Sequence, residues 1–121
     1  IYILIIHISV YKMFNEKDTI KLNKLFSNGV IRNKNSLSFA LSAIKNKGSL
    51  DQLAFLVRAI VLDHVFEDGN KRTAAVLIIA YFTEFEIGFQ RDKIAKIVLN
   101  IASKNISNIT NIKRMIKNAI R

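Results

Sequence analysis

An all-α domain is predicted by three observations. Leu53, Leu56, Val57, Ile60 and Val61 recur at the three-and-four spacing of a helix that buries one stripe. The run Ala74-Ala-Val-Leu-Ile-Ile-Ala-Tyr-Phe82 is apolar nearly all round, which marks a central helix, and its paired alanines let neighbours approach closely. Ser49-Leu-Asp-Gln52 reads as a capping box that opens the helix carrying the first stripe.

The elements follow in chain order. Ile1-Tyr-Ile-Leu-Ile-Ile-His-Ile-Ser-Val10 is apolar but short of the roughly 20 residues needed to span a bilayer, and it lacks the basic lead-in of a secretion signal. It reads as a buried helix, although its β-branching also suits a strand, and His7 within it reads as a core histidine. The missing initiator Met suggests that the natural N-terminus lies upstream. Asp18 to Leu25 is a short amphipathic helix ended by Ser27-Asn28-Gly29. Residues Gly29 to Asn35 form the one stretch with an extended character, since Val30 and Ile31 are β-branched between flexible Asn and Gly residues. A small flap and a plain inter-helix loop are equally compatible with it. Ser36 starts a helix that stops near Gly48, and the helix from the capping box runs on toward Phe66. A central helix from Asn70 to Phe82 and two more, about Arg91 to Ala102 and Ser107 to Ile120, complete the bundle.

Half of the 121 residues are hydrophobic, enough for one sizeable core, and no linker, internal repeat or low-complexity segment divides residues 1–121. A single domain is expected. With no cysteine, neither disulfides nor a thiolate zinc site is available; this fits a cytoplasmic protein, and any metal must rest on oxygen or His. The net charge of +10 invites a nucleic-acid reading. Yet the 13 lysines are scattered at helical spacings that favour solvent faces, and no aromatic-interleaved stripe accompanies them. Nucleic acid is therefore not the expected substrate, and an acidic partner is a minor expectation.

The densest chemistry lies in His64-Val-Phe-Glu-Asp-Gly-Asn-Lys-Arg-Thr73, between two apolar helices. Gly69 permits a tight turn. The second helix starts here, so its first free N–H groups and the positive end of its dipole face whatever the loop holds, with Lys71 and Arg72 beside them. Phosphate suits such a place. Asp68 would repel bare phosphate but makes sense with Mg2+ between them, because Mg2+ takes one or two carboxylates plus phosphate oxygens. His64 is the nearby base that works at neutral pH, and Phe66 anchors the loop in the core. An isolated polar turn of this kind is more often a solvated surface loop, with Asp68-Gly69 as ordinary turn chemistry.

The complete string resembles the signature of the Fic/Doc family: His, usually Pro, Phe, any residue, Asp or Glu, Gly or Ala, Asn, Gly or Lys, Arg. Val65 alone departs, standing where the family usually has Pro. Lys71 followed by Arg72-Thr73 is similar to the death-on-curing (Doc) toxins, where Fic-type transferases usually carry Gly. Gly29-Val-Ile-Arg-Asn33 with Ser36-Leu-Ser-Phe-Ala-Leu41 resembles the flap and following helix of Doc-like proteins, and Val98 to Ile120 resembles the family's closing helix pair.

The resemblance implies a compact Fic/Doc-type helical bundle with a short flap and a transfer reaction from ATP. His64 would deprotonate a Ser, Thr or Tyr hydroxyl of a target protein, and Asp68 would hold Mg2+. Gly69 and Asn70 would supply anion-hole N–H groups, the Asn70 amide would help to place a phosphate, and Arg72 would clamp the phosphate that gathers charge. Lys71 would fill the room that Gly leaves, so that the nucleotide binds reversed and presents its γ-phosphate. Val30 and Ile31 would hold the target peptide. Doc-like phosphorylation of a translation factor is the first implication; Fic-like adenylyl transfer and an inactive nucleotide- or partner-binding module are the alternatives. The family's inhibitory Ser/Thr-x-x-x-Glu-Gly/Asn string is not matched by Thr83-Glu-Phe-Glu-Ile-Gly88, which implies restraint by a separate antitoxin or an unrestrained toxin. Val65, lacking the fixed φ of Pro, would leave the loop less preorganised.

Overall fold

The computed structural model describes residues 14–121, and the apolar run 1–10 with His7 lies outside them. Among the described residues there are six helices: α1 (Glu16–Asn23), α2 (Lys34–Ala43), α3 (Ser49–Leu62), α4 (Asn70–Glu84), α5 (Arg91–Lys104) and α6 (Ile109–Lys117). The all-α expectation holds. Two isolated antiparallel bridges, Ile31 with Phe66 and Phe89 with Ile120, are the β structure of the described residues.

The stripe Leu53, Leu56, Val57, Ile60 and Val61 on α3 is buried, and it packs against α4, whose Ala74, Leu77, Ile78, Ala80 and Phe82 are buried in turn. α1 and α5 flank α4, while α2 and α6 cover α3. Burial on this scale stabilises by about 1.5–3 kcal/mol per fully buried Leu, Ile or Phe. α3 and α4 thus form a fixed frame whose ends hold the loop between them. No helix among the described residues is long and apolar enough to cross a membrane.

Several boundaries differ from the sequence reading for identifiable reasons. Asn15 caps α1 by accepting from the Asp18 N–H at 2.8 Å, so that helix starts at Glu16 and not at Asp18. Asn33 likewise accepts from the Ser36 N–H at 3.1 Å, which moves the start of α2 to Lys34. The Ser49–Gln52 capping box does not form: Gly48 is the N-cap, and α3 has no side-chain cap. The Ser49 hydroxyl lies 3.1 Å from the Tyr81 hydroxyl on α4, and Gln52 Nε2 donates to the Lys47 carbonyl at 2.8 Å. Tertiary partners have displaced the local motif. α3 also ends at Leu62, short of Phe66, with Asp63 as its C-cap and His64 in the left-handed region at φ 50°. His64 is therefore carried on the loop just beyond the helix.

Candidate active site

The loop from Asp63 to Gly69 is tied down from both sides. Val65 and Phe66 are fully buried, and the side chains on either side of them, His64, Glu67 and Asp68, are exposed. The Phe66 ring is the anchor expected from the sequence. Asn70 reaches back to the same residue, accepting from the Phe66 N–H at 2.9 Å and donating from Nδ2 to the Phe66 carbonyl at 2.8 Å. One Nδ2 hydrogen of Asn70 is left over for a ligand.

Of the extended segment expected at Gly29 to Asn35, residues 30–33 pair with this loop, while Lys34 and Asn35 belong to the first turn of α2. The Glu67 N–H donates to the Val30 carbonyl at 3.0 Å, and the Arg32 and Asn33 N–H groups donate to the Val65 carbonyl at 2.7 and 3.0 Å. Between these bonds Ile31 sits opposite Phe66. Alternation along an extended strand turns the N–H and C=O of Ile31 to the opposite edge, where they make no hydrogen bond among the described residues. The Val30 side chain is exposed, whereas that of Ile31 packs partly into the core.

Next to His64, Asp63 ties the loop to α2. Its carbonyl accepts from Asn33 Nδ2 at 3.1 Å, and its carboxylate accepts from the Ser36 hydroxyl. Non-glycine residues enter the left-handed region at a cost of about 1–2 kcal/mol, and these contacts on either side help to hold His64 there.

Gly69 is the N-cap of α4, left-handed at φ 76°, and α4 has no side-chain cap. Its first intrahelical bond runs from the Thr73 N–H to the Gly69 carbonyl at 2.9 Å. The N–H groups of Asn70, Lys71 and Arg72 thus have no helical partner, the situation that favours an anion at a helix start. Lys71 and Arg72 are exposed and, with Asp68 and Glu67, enter no ion pair among the described residues. Their charges are uncommitted.

These groups share a cavity of about 740 Å³. His64, Asp68, Gly69, Asn70, Lys71 and Arg72 all line it, so the loop residues expected from the sequence come together. Val30 and Ile31 do not line it and stand on the flap at its side. The opposite wall went unseen in the sequence: it comes from Leu99, Ala102 and Ser103 on α5 and from Asn105, its C-cap. Leu99 is 54% exposed there, an apolar surface facing the polar loop. A further unforeseen residue is Asn23, wholly buried at the end of α1, whose Nδ2 donates to the Asp68 carbonyl at 2.8 Å.

The donor set fits a phosphate-bound Mg2+. No group of three or more His, Asp or Glu side chains gathers among the described residues, so the protein alone offers no cage. Asp68 gives one exposed carboxylate beside free N–H donors, which suits an ion whose other ligands are phosphate oxygens and water.

The Fic/DOC family model matches residues 14–82, more than half of the chain, with the whole loop, all of α3 and α4 as far as Phe82. The chain belongs to the Fic/DOC family. This is generally a family of transferases that adenylylate or phosphorylate, and the all-α architecture agrees with it. No curated protein and no solved structure matches the chain.

Proposed function

We propose that this Fic/DOC protein is a Doc-like phosphotransferase that moves a phosphoryl group from ATP to a Ser, Thr or Tyr hydroxyl of a target protein. The observation that carries the proposal is the cavity in which a base, His64, faces an uncapped helix start flanked by the uncommitted charges of Lys71 and Arg72.

In this reaction the imidazole of His64 takes the hydroxyl proton, and the hydroxyl oxygen forms the new bond to the γ-phosphorus. The bond from that phosphorus to the β–γ bridging oxygen breaks, and ADP leaves. Arg72 and the N–H groups at the start of α4 hold the non-bridging oxygens where charge develops. Mg2+ held at Asp68, when bound, neutralises phosphate charge. The apolar side of Leu99 and Ala102 gives the flat nucleoside end a dry surface, and the open edge of Ile31 gives an extended target segment a backbone partner. Lys71 occupies the helix start where Fic-type transferases usually carry Gly, which supports presentation of the γ-phosphate. Growth arrest through a translation factor, release from a separate antitoxin and a cytoplasmic site of action belong to the same proposal, and dependence on ATP suits them.

Adenylyl transfer is the second reading, since the Fic/DOC family includes both reactions and the volume of the cavity, about 740 Å³, does not itself select one direction of the nucleotide. Parallel incubations with a cell extract, Mg2+ and either α-labelled or γ-labelled ATP separate the two. Label on protein that appears with the parent and not with His64→Ala, from γ alone, supports phosphoryl transfer; such label from α supports the second reading; no label beyond the His64→Ala control from either, with a competent extract, removes both.

A further inference from the structure

We propose that Asn23 is a positioning residue that locks the flap to the phosphate-binding turn, so that the two sides of the site move as one unit. Its consequence for catalysis rests on the transferase reading above; the lock itself does not.

Asn23 is completely buried, and its side chain serves three places that its own helix does not contain. Oδ1 accepts from the Gly29 N–H at 2.9 Å, at the entrance to the flap. Nδ2 donates one hydrogen to the Asp68 carbonyl at 2.8 Å and the other to the Thr73 hydroxyl at 3.0 Å. Thr73, also fully buried, passes the contact on by donating to the Gly69 carbonyl at 2.8 Å. Both Nδ2 donors are thus spent on the turn and the first turn of α4, and the oxygen is spent on the flap.

The two glycines beside this amide are both left-handed, Gly29 at φ 74° and Gly69 at φ 76°. A Cβ on Gly69 would lie 3.3 Å from Asn23 Nδ2, so the turn is seated directly on the amide. The Asp68 carbonyl and the Gly69 N–H belong to one peptide plane. Fixing that carbonyl inward therefore aims the N–H toward the anion site, and it sets the backbone from which the Asp68 carboxylate projects. Asn23 acts through Asp68 and Gly69 without touching substrate.

The test pairs amide hydrogen exchange with label transfer. Asn23→Asp keeps the volume and the acceptor for Gly29, but it turns an oxygen toward the Asp68 carbonyl. Thr73→Val removes the relay hydroxyl, and Thr73→Ser restores it. In Asn23→Asp and Thr73→Val, exchange at the bonded amides of Gly29, Arg32, Phe66 and Glu67 is expected to rise together while the α3 and α4 interiors stay protected; Thr73→Ser should return to the parent pattern. Transfer per folded molecule should fall by about 10- to 100-fold, as expected for a displaced site. In an Asp68→Ala background the same Asn23 substitution should add less than about two-fold, because the two act as one unit. Faster exchange in only one of the two segments, or equally throughout the protein, overturns the proposal, as does transfer that declines only in step with the folded fraction. A parent protein without transfer defeats the transferase reading and leaves the exchange pattern to decide; if Asn23→Asp does not fold, the Thr73 pair decides.

Discussion

Asn70 closes a two-bond ring on Phe66, accepting its N–H at 2.9 Å and donating to its carbonyl at 2.8 Å. The first residue of α4 thereby fixes the residue that anchors the loop, and the loop can hold His64 and Asp68 outward only while Phe66 stays buried. Asn70→Ala leaves both Phe66 groups without this partner in a part-buried place, a cost of about 1–3 kcal/mol. Thermal denaturation should show a lower Tm, with Asn70→Asp intermediate because it keeps the acceptor and loses the donor.

Gly69→Ala tests the turn. The residue is at φ 76°, which costs an L side chain about 1–2 kcal/mol. The added Cβ would also press on Asn23 and on Ser27 Cβ at 3.3 Å each. Weaker ATP binding by calorimetry and a lower Tm are both expected, the first because the N–H donors of α4 shift with the turn.

His64→Asn separates chemistry from folding. His64 is exposed and left-handed at φ 50°, a conformation that Asn adopts more readily than most residues. Stability by urea denaturation should change by no more than about 0.5 kcal/mol. Transfer should fall by about 10²- to 10⁴-fold, the usual contribution of a general base; an unchanged rate removes that role.

Lys71→Gly tests the register. With the exposed lysine gone, the terminal phosphates can move toward the helix start, and the label that reaches protein should shift from γ toward α. An unchanged product would show that Lys71 does not set the direction of the nucleotide.

The helices were legible because burial writes a period into the sequence: the stripe from Leu53 to Val61 and the apolar run from Ala74 to Phe82 are the two halves of the core. The loop was legible because its chemistry is contiguous. Asn23 was not, since its role comes from partners 45 and 50 residues away, and locally it is one polar residue at the end of a short helix. The caps Asn15, Asn33 and Asn108 were hidden in an Asn-rich chain where the residue type alone carries little signal. The Ser49–Gln52 motif misled for the opposite reason, because Tyr81 and the Lys47 carbonyl offered its side chains better partners. Leu99 and Ala102 follow an ordinary helical pattern, and only the placement of α5 turns them toward the cavity.

If the loop from His64 to Arg72 transfers a phosphoryl group to protein, the product carries that group and His64 is needed to make it. Intact-mass measurement of extract proteins after incubation with ATP, Mg2+ and either the parent or His64→Asn tests it most directly. A protein heavier by one phosphoryl group is expected with the parent, and the same protein unmodified with His64→Asn. A protein carrying a whole nucleotide, or phosphorylation that persists with His64→Asn, would contradict it.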